Sequence, residues 1–224
     1  QLSDLTEVFR MNAEEKGIAF KAYGLEDSVK AWVDDDKLDK ICYNLLSNAL
    51  KFTPYGGKVE FSLDVISHDE AAGLFPLTVQ DVDTRYLKIA VRDSGTGIPA
   101  DQLEKVFERY YQVEHQPGVD VNWGTGIGLY FARTLAVMHH GYLKAENQPV
   151  GTGAIFTLIL PISETTYTEA EKLQIGGQEA GGLVRTNIKY TSTPVTVSGE
   201  NRKKVLVVDD DPDVIHYLRE LLLP

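Results

Sequence analysis

Residues 34–51 carry one unbroken apolar stripe, in which Leu38, Ile41, Cys42, Leu45, Leu46 and Ala49 recur at helical spacing. The pattern predicts a helix of about five turns with one face that must be covered. Segments with strand character supply the cover: 18–23, 28–33, 58–66, 86–92, 142–147 and 154–160. Leu2, Leu5, Val8 and Phe9 give residues 1–17 a helical pattern that stops at Gly17, and a second such pattern spans 127–140. Residues 101–107 read as a short helix and 112–123 as a loop. Between two strands, residues 67–85 form a long excursion, expected to be a partly ordered hairpin, with a docking surface as the less favoured reading. Helices and strands in this mixed order predict an α/β fold, a two-layer sandwich with a mixed sheet covered on one face by helices.

The formal net charge of −11 argues against nucleic-acid binding and against anionic lipid, because no basic field is available to displace counterions. An anionic ligand would have to be held by local devices: backbone amides, helix N-termini, a metal ion and a few placed cations. Cys42 is the single cysteine and suits a reducing cytoplasm. No run approaches the ~20 apolar residues of a membrane span, so no direct insertion by this segment is expected, and any inner-membrane anchor of the parent lies elsewhere. The sequence opens on Gln1 without a signal-peptide pattern and stops inside an apolar helical pattern, so it reads as a piece of a longer protein.

Four polar segments sit at the ends of these elements. Asn44, Asn48 and Lys51 share one flank of the 34–51 helix, beside its apolar stripe. An amide oxygen is a hard neutral ligand suited to Mg2+, and an ordinary polar flank is the competing reading. Asp93-Ser94-Gly95-Thr96-Gly97-Ile98-Pro99 follows a strand directly. A buried aspartate there can accept a hydrogen bond from a base amino group while glycines let the backbone turn beneath it; a plain turn competes. Gly124-Thr125-Gly126-Ile127-Gly128-Leu129 leads into a helix, where free amides form an anion site. A Walker loop would need a lysine that is missing, and a dinucleotide fold would need a strand just before the glycines. Gly151-Thr152-Gly153-Ala154-Ile155-Phe156 runs into the last strand, as a β-turn before an edge strand also would.

The order of these segments resembles the N, G1, F, G2 and G3 boxes of sensor histidine kinase ATP-binding domains, within the wider gyrase, chaperone, kinase and mismatch-repair ATPase superfamily. Lys105-Val106-Phe107-Glu108-Arg109-Tyr110-Tyr111 resembles the F box, and the likeness covers roughly residues 13–161. The resemblance implies ATP and Mg2+ as cofactors, with Asn48 as the metal ligand, Asn44 and Lys51 near the phosphates, and Asp93 at the adenine. It also places Gly95, Gly97, Ile98, Tyr110, Gly124, Thr125, Gly126, Ile127, Gly128 and Leu129 around the nucleotide, with 112–123 as a lid. Two departures stand out: Ala154 and Ile155 occupy places where the family often has a hydroxyl, and Tyr130 stands where a small residue is usual.

Hydrolysing members of the superfamily carry a glutamate four residues before the metal-binding asparagine. Asn44 occupies that place here and cannot act as a general base, which favours phosphotransfer over hydrolysis. Arg109 is a candidate to stabilise charge on the transferring phosphate, with a surface ion pair as the alternative. None of the five histidines matches an acceptor: His68 in Ser67-His68-Asp69-Glu70 follows the first nucleotide segment, whereas the family's acceptor precedes it. His139 and His140 close a helix and are expected to serve its C-terminus, His115 lies in the lid and His216 in the terminal pattern. The acceptor is therefore expected upstream of Gln1, on the dimerising hairpin of a homodimeric parent whose last helix would end at 1–17. Composition turns to Thr, Ser, Gly and Glu over 163–202, a linker, and Val205-Leu206-Val207-Val208-Asp209-Asp210-Asp211 with the helical pattern after it resembles the start of a receiver domain. That implies a hybrid two-component parent in which phosphate is relayed to a receiver aspartate.

Overall fold

The computed structural model describes residues 2–26, 29, 31–77, 83–113, 125–169, 171 and 172. Five strands make one mixed sheet: β1 (Ala19–Tyr23), β2 (Lys58–Ile66), β3 (Tyr86–Asp93), β4 (Tyr142–Asn147) and β5 (Ala154–Pro161), in the order β1-β2-β3-β5-β4. β1 runs parallel to β2, and the remaining neighbours are antiparallel. Four α-helices accompany them: α1 (Leu2–Glu15), α2 (Asp35–Phe52), α3 (His68–Leu74) and α4 (Gly128–Met138).

Alternation along the strands decides where the core lies. Phe61 pairs with Val91, and Ile89 with Leu158; these side chains share one face and are fully buried. The stripe of α2 lies against that face through Ile41, Leu45 and Leu46, and Leu135 of α4 joins the same cluster. Phe9 and Ala13 seat α1 in this core as well. Each such side chain contributes roughly 1.5–3 kcal/mol when buried, so the sheet face and α2 stabilise one another. Asp34 caps α2 by accepting the Lys37 N–H at 3.1 Å and pairs with its ammonium at 3.0 Å. No helix among the described residues is long and apolar enough to cross a membrane.

Three expectations from the sequence are corrected. The described part of 67–85 contains a helix, α3, in place of a hairpin. Ser67 and Glu70 form a capping box, and Ala71 and Phe75 pack on Tyr86 and Ile159 to make a small second core on the opposite sheet face. The expected helix at 101–107 is instead two 3-10 turns, Ala100–Gln102 and Lys105–Phe107, of which only Val106 and Phe107 are buried. So small an apolar anchor gives too few contacts to hold successive α-turns. No strand occurs at 29 or 31–33; Trp32 instead makes one backbone bond to Ile162, at 3.3 Å.

After β5 the chain stays on the domain. Tyr167 is buried and its hydroxyl donates to Pro161 O at 2.9 Å, while Glu171 meets His140 at 2.9 Å. Hydrogen bonds from Thr168 and then from His140 hold the Glu171 carboxyl at a pKa of about 2. The remainder of the 163–202 linker, the receiver-like segment 203–224, His115 and Gly124 lie outside the described residues.

Candidate functional site

The C-terminal half of α2, the loop after β3 and the first turn of α4 enclose a cavity of about 620 Å³. Asn44, Asn48 and Lys51 form one wall of it, and Asp93, Gly97 and Ile98 line another. Thr125, Gly126, Gly128 and Leu129 line it at the start of α4, and Gln112 and Val113 reach it from the chain after Tyr111. Ten residues proposed from sequence thus share one space. Gly95, Arg109, Tyr110 and Ile127 do not line it.

Asp93 ends β3 and is 4% exposed. Its Oδ1 accepts the Gly95 N–H at 2.9 Å and the Ala154 N–H at 3.2 Å. Burial pushes its pKa above the ordinary aspartate value, and those two donors restrain the rise. Ala154 therefore supplies through its backbone a contact at a position where no side-chain hydroxyl is present. Gly95 sits so close beneath that a Cβ would lie 2.5 Å from Phe52 O and 2.8 Å from Asp93 Oδ1.

Asn44 donates through Nδ2 to Lys40 O at 2.8 Å, and its Oδ1 faces the start of α4, where a Cβ on Gly128 would strike it. Gly128 thus leaves room for the first asparagine of α2. Asn48 lines the cavity and makes no side-chain hydrogen bond among the described residues, so its amide is available to a ligand. Burial lowers the pKa of Lys51, whose ammonium lies 5.3 Å from the Phe52 ring centre. Among the described residues no trio of His, Cys, Asp or Glu could hold a metal. A cation here would rest on the Asn48 amide oxygen and on the oxygens of its own ligand, a donor set that suits Mg2+.

Among the described residues no side chain caps α4, so its first-turn amides can receive an anion. The Tyr110 N–H donates to Gly126 O at 3.0 Å, with Tyr110 at φ 61 and Gly126 at φ 71. A Cβ on Gly126 would come within 2.8 Å of the Tyr110 carbonyl carbon, which makes glycine necessary on steric grounds too. Arg109 stacks over the Tyr130 ring at 4.7 Å, outside the cavity wall. The unusual tyrosine at the head of α4 is a platform for that guanidinium.

Two residues that the sequence reading missed shape the site. Asn147 pairs with the backbone of Ile98 in both directions, and Gln148 donates to Asp93 O at 2.6 Å. Nothing local marks them, since their partners lie about fifty residues away in sequence. His139 and His140 do close α4, as expected, and His139 is buried there.

Residues 33–164 match the family of histidine kinase-, DNA gyrase B-, and HSP90-like ATPases, and the chain belongs to it. Sensor histidine kinase TmoS of Ectopseudomonas mendocina is 31% identical over 232 positions, covering 99% of this chain and 22% of TmoS. Full-length ShkA in complex with AMPPNP has the same fold, with a TM-score of 0.53 at 23% identity over 72% of this chain and 29% of that one. Histidine kinase ThkA in complex with response regulator protein TrrA gives a TM-score of 0.53 at 19% identity over 74% of this chain and 40% of that one. The chain therefore spans about a fifth of TmoS, and less than half of either structural relative.

Proposed function

We propose that this chain is the ATP-binding kinase domain of a two-component sensor histidine kinase, which binds Mg·ATP and presents the γ-phosphate to a histidine outside the chain. The observation that carries the reading is the convergence of Asn44, Asn48, Lys51, Asp93 and the Gly126–Gly128 helix entry on one cavity. Asp93 accepts the adenine amino group, the α4 amides and Lys51 hold phosphates, and Asn48 ligates Mg2+. When bound, the metal neutralises phosphate charge; the residues of the chain orient the nucleotide and shield it from water. Asn44 lies against the head of α4 and offers no base to activate water, so transfer is favoured over hydrolysis. Arg109 begins from its stack on Tyr130 and serves the transferring phosphate.

The acceptor histidine belongs to a dimerisation hairpin upstream, with residues 1–17 leading from it, and a receiver aspartate takes the phosphate next. The ATP-binding unit spans 18–162, followed by a 163–202 linker and by 203–224 as the start of a receiver in a hybrid parent. The AMPPNP held by ShkA and the TrrA bound to ThkA support the nucleotide and the receiver partner.

Calorimetry on the full chain tests the site. Asn48→Ala should weaken Mg·ATP about tenfold, the loss of roughly 1.4 kcal/mol, while metal-free ADP binds as before. Equal affinity of the variant and the parent for Mg·ATP overturns the assignment of the metal. Labelled ATP with a separate histidine hairpin should place acid-labile phosphate on the hairpin and none on His68. Phosphate release by the chain alone would mark an ATPase, and nucleotide binding without transfer a regulatory module.

A further inference from the structure

We infer that Asn147, seconded by Gln148, is a positioning residue that sets base selectivity at the nucleotide site. The inference rests on the reading of Asp93 as the adenine acceptor. It concerns the last residue of β4 and the first residue after it, neither of which lines the cavity.

Asn147 is the last residue of β4. Its Oδ1 accepts the Ile98 N–H at 2.8 Å and its Nδ2 donates to Ile98 O at 2.6 Å. One planar amide thus engages both backbone groups of a single residue, as an adjacent strand would, which fixes that residue in position and in rotation. Ile98 belongs to the cavity wall. The preceding Gly97 has φ +74, and a Cβ on it would lie 2.9 Å from Asn147 Oδ1, so the loop and the clamp are shaped to each other.

The other end of the same loop is held by the same turn. Gln148 Nε2 donates to Asp93 O at 2.6 Å, and Ala154 N–H to Asp93 Oδ1 at 3.2 Å. Gly153, at φ +114, passes so close to Asp93 O that any side chain would collide with it. Asp93 and Ile98 are therefore both registered against the β4–β5 turn, and the loop between them has no freedom to slide.

That rigidity has a chemical consequence. A carboxylate acceptor distinguishes an amino-bearing purine from a keto-bearing one only if the base cannot shift to another donor. A wall that yields at Ile98 would let a keto purine settle lower or turned in the pocket. The amides that open α4 belong to a different element from Ile98, so binding of phosphates there is expected not to depend on Ile98.

The test compares ATP and GTP affinities of the full chain by calorimetry, with and without Mg2+, for Asn147→Asp and Gln148→Ala. Asn147→Asp keeps the acceptor for Ile98 N–H but sets a carboxylate against Ile98 O. Its preference for ATP over GTP should fall about tenfold, with the gain in affinity from Mg2+ unchanged. Gln148→Ala should shift the preference the same way by a smaller factor. Equal weakening of both nucleotides, or an unchanged ratio in both variants, overturns the inference and leaves the pair as turn residues only. Asp93→Asn serves as the control: an unchanged ratio there overturns the adenine reading itself, whereas a changed ratio with silent Asn147 and Gln148 variants removes this inference alone.

Discussion

The backbone N–H of Asp34, the cap of α2, donates to His139 Nε2 at 3.4 Å, while His139 Nδ1 donates to Leu135 O at 2.9 Å. The imidazole joins the start of the asparagine-bearing helix to the end of α4, the helix whose head lines the cavity. Burial holds its pKa below the ordinary 6.5; the Leu135 hydrogen bond and Asp34 oppose that, and the nearby Lys37 and His140 add to it. A folded value below the unfolded one means that the unfolded chain binds the extra proton. The stability from neutral His139 is complete above the unfolded pKa and is lost as pH falls from there toward the folded value. The melting temperature should therefore drop between about pH 7 and pH 5. His139→Phe should flatten that slope while costing about 1–3 kcal/mol at pH 8, because the Asp34 N–H loses its acceptor. An unchanged slope in the variant would assign the acid sensitivity to other groups.

Asp93 predicts an opposition between stability and binding. Its folded pKa is raised, so ionising it costs stability as pH climbs through the ordinary carboxylate value of 3.8, and the cost persists at neutral pH. An asparagine in its place would keep an Oδ1 acceptor for Gly95 and Ala154 without a buried charge. Asp93→Asn should raise stability at pH 7 by about 1 kcal/mol, read from urea unfolding. The same variant should weaken ATP by about tenfold or more, since a charged acceptor is lost. A destabilised variant would show that the carboxylate contributes more to the fold than its burial costs.

The glycines of the β4–β5 turn differ in what surrounds them. Gly151, at φ +87, has open space where a Cβ would stand, whereas Gly153 abuts the Asp93 carbonyl. Gly151→Ala should cost only backbone strain, about 1–2 kcal/mol. Gly153→Ala adds a collision between β5 and the end of β3 and should cost more than about 3 kcal/mol. Equal urea midpoints for the two variants would contradict this account of the turn.

The stripe of α2 and the glycine segments are legible in the sequence because their signals are local: helical period, strand-then-glycine order, asparagine spacing. The long-range pairing of Asn147 with Ile98 has no such signal, since an asparagine ending a strand is unremarkable until its distant partner is in place. The helix α3 does leave a mark. Ser67 followed three residues later by Glu70 is a capping pattern, but a seven-residue helix has too short a period to be read from apolar spacing. Arg109 is marked in the sequence by its place just after Phe107, whereas its contact with Tyr130 depends on packing between two elements. The strand expected over 28–33 rests on β-propensity, which yields where no neighbouring strand edge is in register.

The backbone bond between Tyr110 and Gly126 brings together two points sixteen positions apart in sequence. The chain between them therefore has its two ends fixed at a single place. Closing a ring grows harder only with the logarithm of its circumference, about 0.6 kcal/mol for each doubling. Insertions, deletions and wholesale rewriting can therefore accumulate between Tyr110 and Gly126 with little effect on the asparagines of α2 or the amides of α4. Relatives are expected to differ most in length there, and the described walls of the cavity should tolerate that difference.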